Sequence, residues 1–458
     1  MLFHTWPFLA FFAVVYGGFL ALKKTPYWLH WLLAASYFFY GWWNPLYLLL
    51  IVYSTVLDYA VVAWMDGSRR KTFWLLVSIV NNLALLGFFK YAGFVTENFN
   101  FLLAAANAGW RLPAPDVLLP VGISFYTFQS MSYTIDFYRG EIKRERSFVR
   151  FATFVSLFPQ LVAGPIERAK ELLPQLNAFP RIRRQDVADG LSLFVVGLFK
   201  KVALADYLAA YADPVFATPD RFGAPALLLG TVAFAWQIYF DFSGYTDMAR
   251  GVARAMGYKL MVNFNHPYLA TSLGNFWSRW HISLSTWFRD YVYIPLGGNR
   301  HGPWRTYFNL FVTMVVSGLW HGAAWTFIIW GALHAVATVA TREAERSHWY
   351  HYRVPAFVKR IVVFAFVCFA WIFFRASTVS DAWLIVARIF SAGWRDPRFP
   401  LLALLLLGSV WVYQFAVESP LRRFTETTFF RVAIVVLMLV YLCVVPGSRN
   451  APFIYFQF

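Results

Sequence analysis

Long apolar runs recur along the whole chain, and their length is the clearest structural signal in the sequence. A helix needs about 20 mostly apolar residues to cross a bilayer, and runs near or above about 18 residues indicate such helices. The pattern therefore predicts an all-α polytopic integral membrane protein with about eleven crossings. The predicted runs lie near residues 6–22, 28–43, 46–65, 73–89, 117–137, 188–212, 224–243, 306–341, 360–375, 400–417 and 430–446.

Two apolar stretches have the wrong length for a simple crossing. The stretch 151–163 is too short to span and has basic loops on both sides, so it predicts a re-entrant or interfacial segment. The stretch 306–341 contains no Asp, Glu, Lys or Arg. As one helix it would be about 54 Å long, far more than the bilayer core of about 30 Å. It must therefore break, and the sequence GLWHG (318–322) is the predicted place.

Composition supports the membrane assignment and indicates which class of partner the chain meets. The chain is 59% hydrophobic and only 14% charged, against roughly 25% charged in a soluble domain. Its net charge of +17 fits basic cytoplasmic loops that meet anionic lipid. No basic domain lies outside the runs, so the predicted partner is the lipid bilayer and not a nucleic acid. Cys368 and Cys443 both lie in apolar runs, which predicts neither a disulfide framework nor a metal site.

The chain shows no internal repeat and no appended soluble domain. We therefore predict a single membrane domain, 1–458, with N-terminal spans in 1–137, a motif-bearing core in 138–341 and C-terminal spans in 342–458. Charge is dense within 244–305, which predicts a cytoplasmic location for that region.

His321 lies in the uncharged stretch, beside the predicted helix break. A break frees backbone groups that survive at membrane depth only inside protein or beside a water-filled cavity, so His321 is predicted to face a cavity. Burial keeps imidazole neutral with a free lone pair, as a general base requires. Ser317 and Trp325 share its helical spacing at i−4 and i+4. The alternative is a packing role, which we assign to His334 because no break flanks it.

A second histidine lies in the charge-dense region. If that sequence is helical, Trp277, His281 and Ser285 share one face. The alternative is an amphipathic surface helix whose arginines touch lipid phosphate. In the motif YFDFSGYTD, Asp241 and Asp247 are more simply explained by interhelical hydrogen bonding than by catalysis.

Several segments, taken together and in order, resemble one enzyme family. They are LPVGISFYTFQSMSYTIDFYRGE, FPQLVAGPIER, YFDFSGYTDMARGVARAMGY, NFWSRWHISLSTWFRDYVYIPLGGNR and SGLWHGAAWTFIIWGALHA. They are similar to the membrane-bound O-acyltransferase (MBOAT) family. Within it they resemble the bacterial alginate O-acetyltransferase branch, which is close to the peptidoglycan and D-alanyl lipoteichoic acid transferases.

The resemblance implies a fold and a site. The fold is a ring of transmembrane helices around a central channel, with re-entrant or interfacial helices; the donor enters from the cytoplasm and the acceptor from the outer face. It places the catalytic position at His321 and the second polar position at His281. The expected donor is acetyl-coenzyme A or an acyl carrier protein, and no bound cofactor is expected. Further residues predicted to bind substrate or donor are Ser317, Trp325, Asn275, Trp277, Arg289, Asp290, Arg300 and Gln129.

The sequence thus predicts an O-acyltransferase of the bacterial cytoplasmic (inner) membrane, with His321 as general base. It would move an acetyl group across the membrane to O-acetylate an extracytoplasmic polysaccharide, alginate-like or another cell-envelope polymer. In the alternative, the acyl group passes to a hydroxyl of a periplasmic or membrane-anchored acetyltransferase partner in a polysaccharide export complex. A transporter or channel would favour two related halves, which are not seen, and a scaffold would leave both histidines unexplained.

Overall fold

The computed structural model describes residues 1–115, 119–445 and 453–454, which are helical wherever they are regular. The first residues of the predicted run 117–137 and the last residue of 430–446 lie outside the described part. The helices are α1 (Trp6–Ala21), α2 (Trp28–Gly41), α3 (Tyr47–Met65), α4 (Lys71–Leu86), α5 (Ala92–Ala105), α6 (Ile123–Tyr138), α7 (Phe148–Ser156), α8 (Ala169–Leu172), α9 (Arg184–Phe199), α10 (Asp206–Ala217), α11 (Ala224–Ala255), α12 (Leu273–Trp277), α13 (Ile282–Phe288), α14 (Gly302–His321), α15 (Trp325–Arg346), α16 (His348–Arg353), α17 (Ala356–Arg375), α18 (Val379–Ser391), α19 (Leu401–Val417), α20 (Arg422–Thr425) and α21 (Thr428–Val444).

Several of these helices have the length and composition of membrane spans. Among the described residues, four helical stretches are long and apolar enough to cross a bilayer: Tyr47–Met65, Lys71–Ala105, Ala224–Ala255 and Ala356–Arg375. The helices α1, α19 and α21 are apolar but shorter. An all-α protein with many apolar helices is therefore confirmed.

The sequence was wrong about where the fourth predicted run ends. It placed the end of that run at 89, but the chain stays helical to Ala105. A π-helical turn, Gly87–Tyr91, joins α4 to α5. Apolar residues continue beyond Lys90, so one charge does not end the helix.

Contacts divide the chain into two compact units. The first comprises Met1–Leu191 and Ala249–Met261, and the second comprises Ser192–Met248 and Val262–Phe458. The single membrane domain expected from the sequence stays a prediction.

A buried carboxyl group ties together three helices of the first unit. Asp58 on α3 is fully buried. It accepts hydrogen bonds from Ser78 Oγ (2.6 Å) and Asn82 Nδ2 (3.0 Å), both on α4, and from Ser130 Oγ on α6. Ionisable residues inside membrane bundles face the interior and find polar partners. Asp58 therefore holds α3, α4 and α6 in register.

The stretch 151–163 does not form a span. Its helix, α7, ends at Ser156, and turns follow up to residue 163. Phe151, Phe154 and Phe158 are completely buried, and Phe158 packs against Phe39 with ring centroids 5.8 Å apart. The prediction that this segment is too short to span is confirmed. The segment is buried inside the first unit.

The second unit contains a buried ion cluster and an aromatic core. Lys201 lies in the π-helical segment Lys200–Ala205 and bonds both Asp206 Oδ1 (2.8 Å) and Asp241 Oδ1 (2.9 Å). Lys200 bonds Asp247 Oδ2 at 2.7 Å. These contacts confirm the interhelical interpretation of Asp241 and Asp247. The aromatic core includes the buried tryptophans Trp236, Trp280, Trp330 and Trp371.

Candidate active site

The uncharged stretch 306–341 breaks where the sequence predicted. Helix α14 ends at His321, Gly322 adopts an extended conformation (φ −159°, ψ 148°), and α15 begins at Trp325. The two helices pack closely at the break. A Cβ atom on Gly318 would lie 2.2 Å from the carbonyl oxygen of Phe327, and one on Gly322 would lie 2.0 Å from the Phe327 ring. His321 is thus fixed at the turn between two tightly packed helices.

His321 is enclosed by aromatic side chains. Only 4% of its surface is exposed. The centroid of its ring lies 5.0 Å from that of Trp320, 5.2 Å from that of Trp330 and 5.4 Å from that of Phe374. These rings shield the His321 imidazole from bulk water.

His281 is not on the helical face that its spacing indicated. Helix α12 ends at Trp277, and His281 adopts a left-handed conformation (φ 43°, ψ 54°) just before α13. The predicted alignment with Trp277 and Ser285 is therefore wrong. The cause is pairing with a neighbouring irregular segment: the amide of Asn265 donates to the carbonyl of Arg279, and that of Ile282 donates to the carbonyl of Asn263.

The same pairing buries His281 beside a polar side chain. His281 is completely buried, and its Nδ1 lies 3.1 Å from Asn263 Oδ1. Burial lowers the pKa of His281 to about 3, so this ring, in the segment between α11 and α14, is neutral at pH 7. Phe242 packs edge-on against it, with ring centroids 4.7 Å apart.

The tertiary structure brings the two predicted histidines together. The ring centroids of His281 and His321 are 6.5 Å apart, although the residues are far apart in sequence. Trp320 contacts both rings. Two buried imidazoles at a helix break, inside an aromatic enclosure, form the candidate active site.

A cavity of about 200 Å³ opens one helical turn from His321. Three predicted donor-binding residues line it: Trp277, Arg289 and Ser317. The remaining lining residues are Gly274, Leu284, Ser285, Phe288, Tyr293, Leu310, Thr313, Met314 and Thr338. The walls are mostly apolar with a few hydroxyl groups and one arginine, as in many small-molecule pockets.

The remaining predicted binding residues do not line this cavity. Trp325 is 55% exposed, because the break takes it off the helical face of Ser317 and His321. Its predicted alignment at i+4 is therefore wrong.

The side-chain carbonyl of Asn275 accepts from the amide of Thr271 (3.4 Å). Asp290 bonds Arg289 Nε at 2.8 Å, and Arg300 is exposed. Gln129 belongs to the first unit, where its amide donates to the carbonyl of Phe154 (2.5 Å).

Sequence reasoning missed Asn263, which contacts His281 directly. It lies in VNFNHPY, a segment with no helical periodicity, so nothing in the pattern links it to a histidine farther along the chain. Within the described ranges, no group of three or more His, Cys, Asp or Glu side chains is placed to hold a metal ion.

Comparison with known proteins identifies the family. Residues 139–379 match the model of the membrane-bound O-acyltransferase family, MBOAT. The probable alginate O-acetylase AlgI of Pseudomonas aeruginosa is 42% identical over 398 residues, which are 86% of this chain and 75% of the relative. That of Azotobacter vinelandii is 43% identical over 404 residues (86% and 79%). The peptidoglycan O-acetyltransferase of Helicobacter pylori is 38% identical over 421 residues (83% and 78%). With its all-helical fold and its apolar spans, this chain is a multi-pass membrane O-acyltransferase and belongs to the MBOAT family.

Proposed function

We propose that this enzyme transfers an acetyl group from a cytoplasmic donor across the bacterial cytoplasmic membrane, for O-acetylation of an extracytoplasmic polysaccharide. The observation that carries the proposal is the pair of buried imidazoles, His281 and His321, at the helix break. The names of the relatives, which include alginate and peptidoglycan O-acetyltransferases, support an acetyl group and a cell-envelope polymer. Membership of an acyltransferase family argues against the transporter hypothesis.

In the proposed reaction, His321 acts as the general base. Its neutral imidazole takes the proton of the acceptor hydroxyl while the hydroxyl oxygen attacks the carbonyl carbon of the thioester. A new C–O bond forms, the C–S bond breaks, and the leaving thiolate takes up a proton from the imidazolium. The ester product and a free thiol result, with no net change at His321. His281 would position the donor's arm beside it.

The cavity beside α14 is the proposed site for the donor's thioester arm. Acetyl-coenzyme A and an acyl carrier protein both present acetyl as a thioester on a flexible arm. Such an arm is partly apolar and carries amides, and it would meet the hydroxyl groups of Ser285, Thr313 and Ser317, which line the cavity. Arg289 lies on the same wall and is exposed, so it can meet a phosphate of the donor.

We expect Arg289→Ala and Arg300→Ala to raise the apparent KM for acetyl-coenzyme A and to leave kcat nearly unchanged. The expected rise is about 1.5- to 5-fold each, because exposed ionic contacts contribute about 0.2–1 kcal/mol. The wild-type KM should also rise with salt, because exposed charges are screened. Arg423→Ala, which changes an exposed arginine outside the motif-bearing core 138–341, is the control. An unchanged KM in both variants would make these arginines ordinary cytoplasmic-loop charges.

The direct test of the proposed function is transfer of label. Purified enzyme in detergent receives radiolabelled acetyl-coenzyme A, or acetylated acyl carrier protein, together with the polysaccharide and the candidate partner acetyltransferase. Alkali-labile label on the polymer when the partner is omitted supports direct transfer. Label that stops on a hydroxyl of the partner contradicts direct transfer and establishes the relay. Absence of label from polymer and partner with both donors, for enzyme that is folded, would refute the acetyl-transfer proposal.

A further inference from the structure

Three donors converge on one oxygen atom beside the second histidine. Asn263 Oδ1 lies 3.2 Å from the backbone amide nitrogen of Ser283, 3.0 Å from Ser283 Oγ and 3.1 Å from His281 Nδ1. Asn263 is 1% exposed, and both of its neighbours here are completely buried. The arrangement is therefore shielded from water, where each bond is stronger than at the surface.

The backbone amide of Ser283 fixes the orientation of the Asn263 side-chain amide. A backbone N–H only donates, so the atom facing Ser283 N must be the carbonyl oxygen and not the NH₂ group. The same oxygen faces His281 Nδ1. Since a carbonyl oxygen only accepts, His281 Nδ1 must carry the hydrogen. In a neutral imidazole with hydrogen on Nδ1, Nε2 carries the lone pair.

We propose that Asn263 is a positioning residue for acyl transfer: it holds His281 in the single tautomer that presents Nε2 as a hydrogen-bond acceptor. This inference rests on the proposed role of His281 in the reaction. The neutral state that burial imposes on His281 agrees with it, because only a neutral ring has a tautomer to select. The consequence is that His281 receives a proton or hydrogen bond at Nε2 and cannot donate one there.

The backbone around His281 is built to keep this contact. A left-handed conformation is strained for a non-glycine residue and persists only where the surroundings enforce it. Here the carbonyl of Asn263 accepts from the amide of Ile282 at 2.9 Å, and its side chain accepts from the next amide, that of Ser283. One residue thereby fixes both the backbone turn and the ring of His281.

Three variants test the proposal. Asn263→Ala removes the acceptor and should lower kcat for acyl transfer by about 10–100-fold, the effect seen when a metal-ligating histidine loses the partner that orients it. Asn263→Asp keeps an oxygen acceptor in the same place and should retain most of the rate. Ser283→Ala removes one donor to the same oxygen, leaves the contact with His281 intact, and should be close to wild type. The KM for the donor should stay unchanged in all three variants.

A spectroscopic measurement separates positioning from simple structural support. Nitrogen-15 NMR of histidine-labelled enzyme, with His281→Gln to assign the signals, should show hydrogen on Nδ1 of His281 in wild type and in Ser283→Ala. Asn263→Ala should show a mixture of tautomers. A wild-type His281 with hydrogen on Nε2 would refute the inference whatever the activities are. So would a folded Asn263→Ala enzyme that turns over at the wild-type rate while His281→Ala is inactive. If His281→Ala is itself fully active, the proposed role of His281 fails, and with it the reason for positioning the ring.

Discussion

Replacing His321 by alanine is expected to reduce acyl transfer by roughly 10²–10⁴-fold, the usual contribution of general-base catalysis. The protein should remain folded and inserted and should still bind the donor. The expectation follows from the position of the ring, which is buried among Trp320, Trp330 and Phe374 and lies 6.5 Å from the ring of His281. The measurement is initial transfer rate at saturating donor, with thermal unfolding in detergent as the check on folding.

Asparagine and glutamine at position 321 distinguish a base from a packing residue. Both can make hydrogen bonds and refill part of the space, but neither takes up a proton at neutral pH. We therefore expect His321→Asn and His321→Gln to be as inactive as His321→Ala. Hydrogen bonds between membrane helices average only about 0.6 kcal/mol, so the loss of such a bond alone cannot produce the expected fall in rate. Recovery of activity in His321→Gln would leave His321 as a packing residue.

His334 provides a matched control. It is also a fully buried histidine, and its ring centroid lies 4.8 Å from that of the same Trp330. His334 lies on α15, and its ring packs against Trp277 of α12 and Phe366 of α17. His334→Gln should lower the unfolding temperature and leave the transfer rate of the folded enzyme nearly unchanged. Equal losses of rate at 321 and 334 would contradict a special role for His321.

Replacing Gly318 by alanine is expected to abolish most of the activity through the backbone. The new Cβ atom would lie 2.2 Å from the carbonyl oxygen of Phe327 and 3.4 Å from the Cα atom of Gly331. Backbone atoms cannot rotate away as a side chain can, so α14 and α15 must move apart. Overpacking costs typically about 1–3 kcal/mol, and a displacement of about 1 Å at a reacting group can cost about 10²-fold in rate. Both the unfolding temperature and the transfer rate should fall.

Gly408→Ala is the control for this substitution. Gly408 lies inside α19, where an added Cβ would meet nothing within 4 Å. Alanine favours a helix over glycine by about 0.5–1 kcal/mol, so this variant should be as stable as wild type or slightly more stable, with full activity. A Gly318→Ala enzyme that behaves like Gly408→Ala would show that the tight contact between α14 and α15 is not needed to place His321.

The sequence predicted the helix break more accurately than the site around it. The break could be predicted because the uncharged stretch, as one helix, is longer than the bilayer core is thick. No comparable limit on length fixes the position of His281. Its helical spacing with Trp277 and Ser285 suggested one continuous face, and pairing of the irregular segment around Asn263 with residues 279–282 overrode that preference.

By itself, the sequence determined the membrane class, the all-helical fold, the family and the two histidines. These follow from composition, from the lengths of apolar runs and from local motifs, all of which are properties of neighbouring residues. Only the tertiary structure decided that His281 and His321 lie side by side, that Asn263 holds His281, and that Trp277, Arg289 and Ser317 share one cavity while Trp325 does not. Those relations depend on how separate segments pack, and packing is set by the contacts of large aromatic side chains and closely approaching glycines. No periodic pattern in the sequence indicates these contacts between segments.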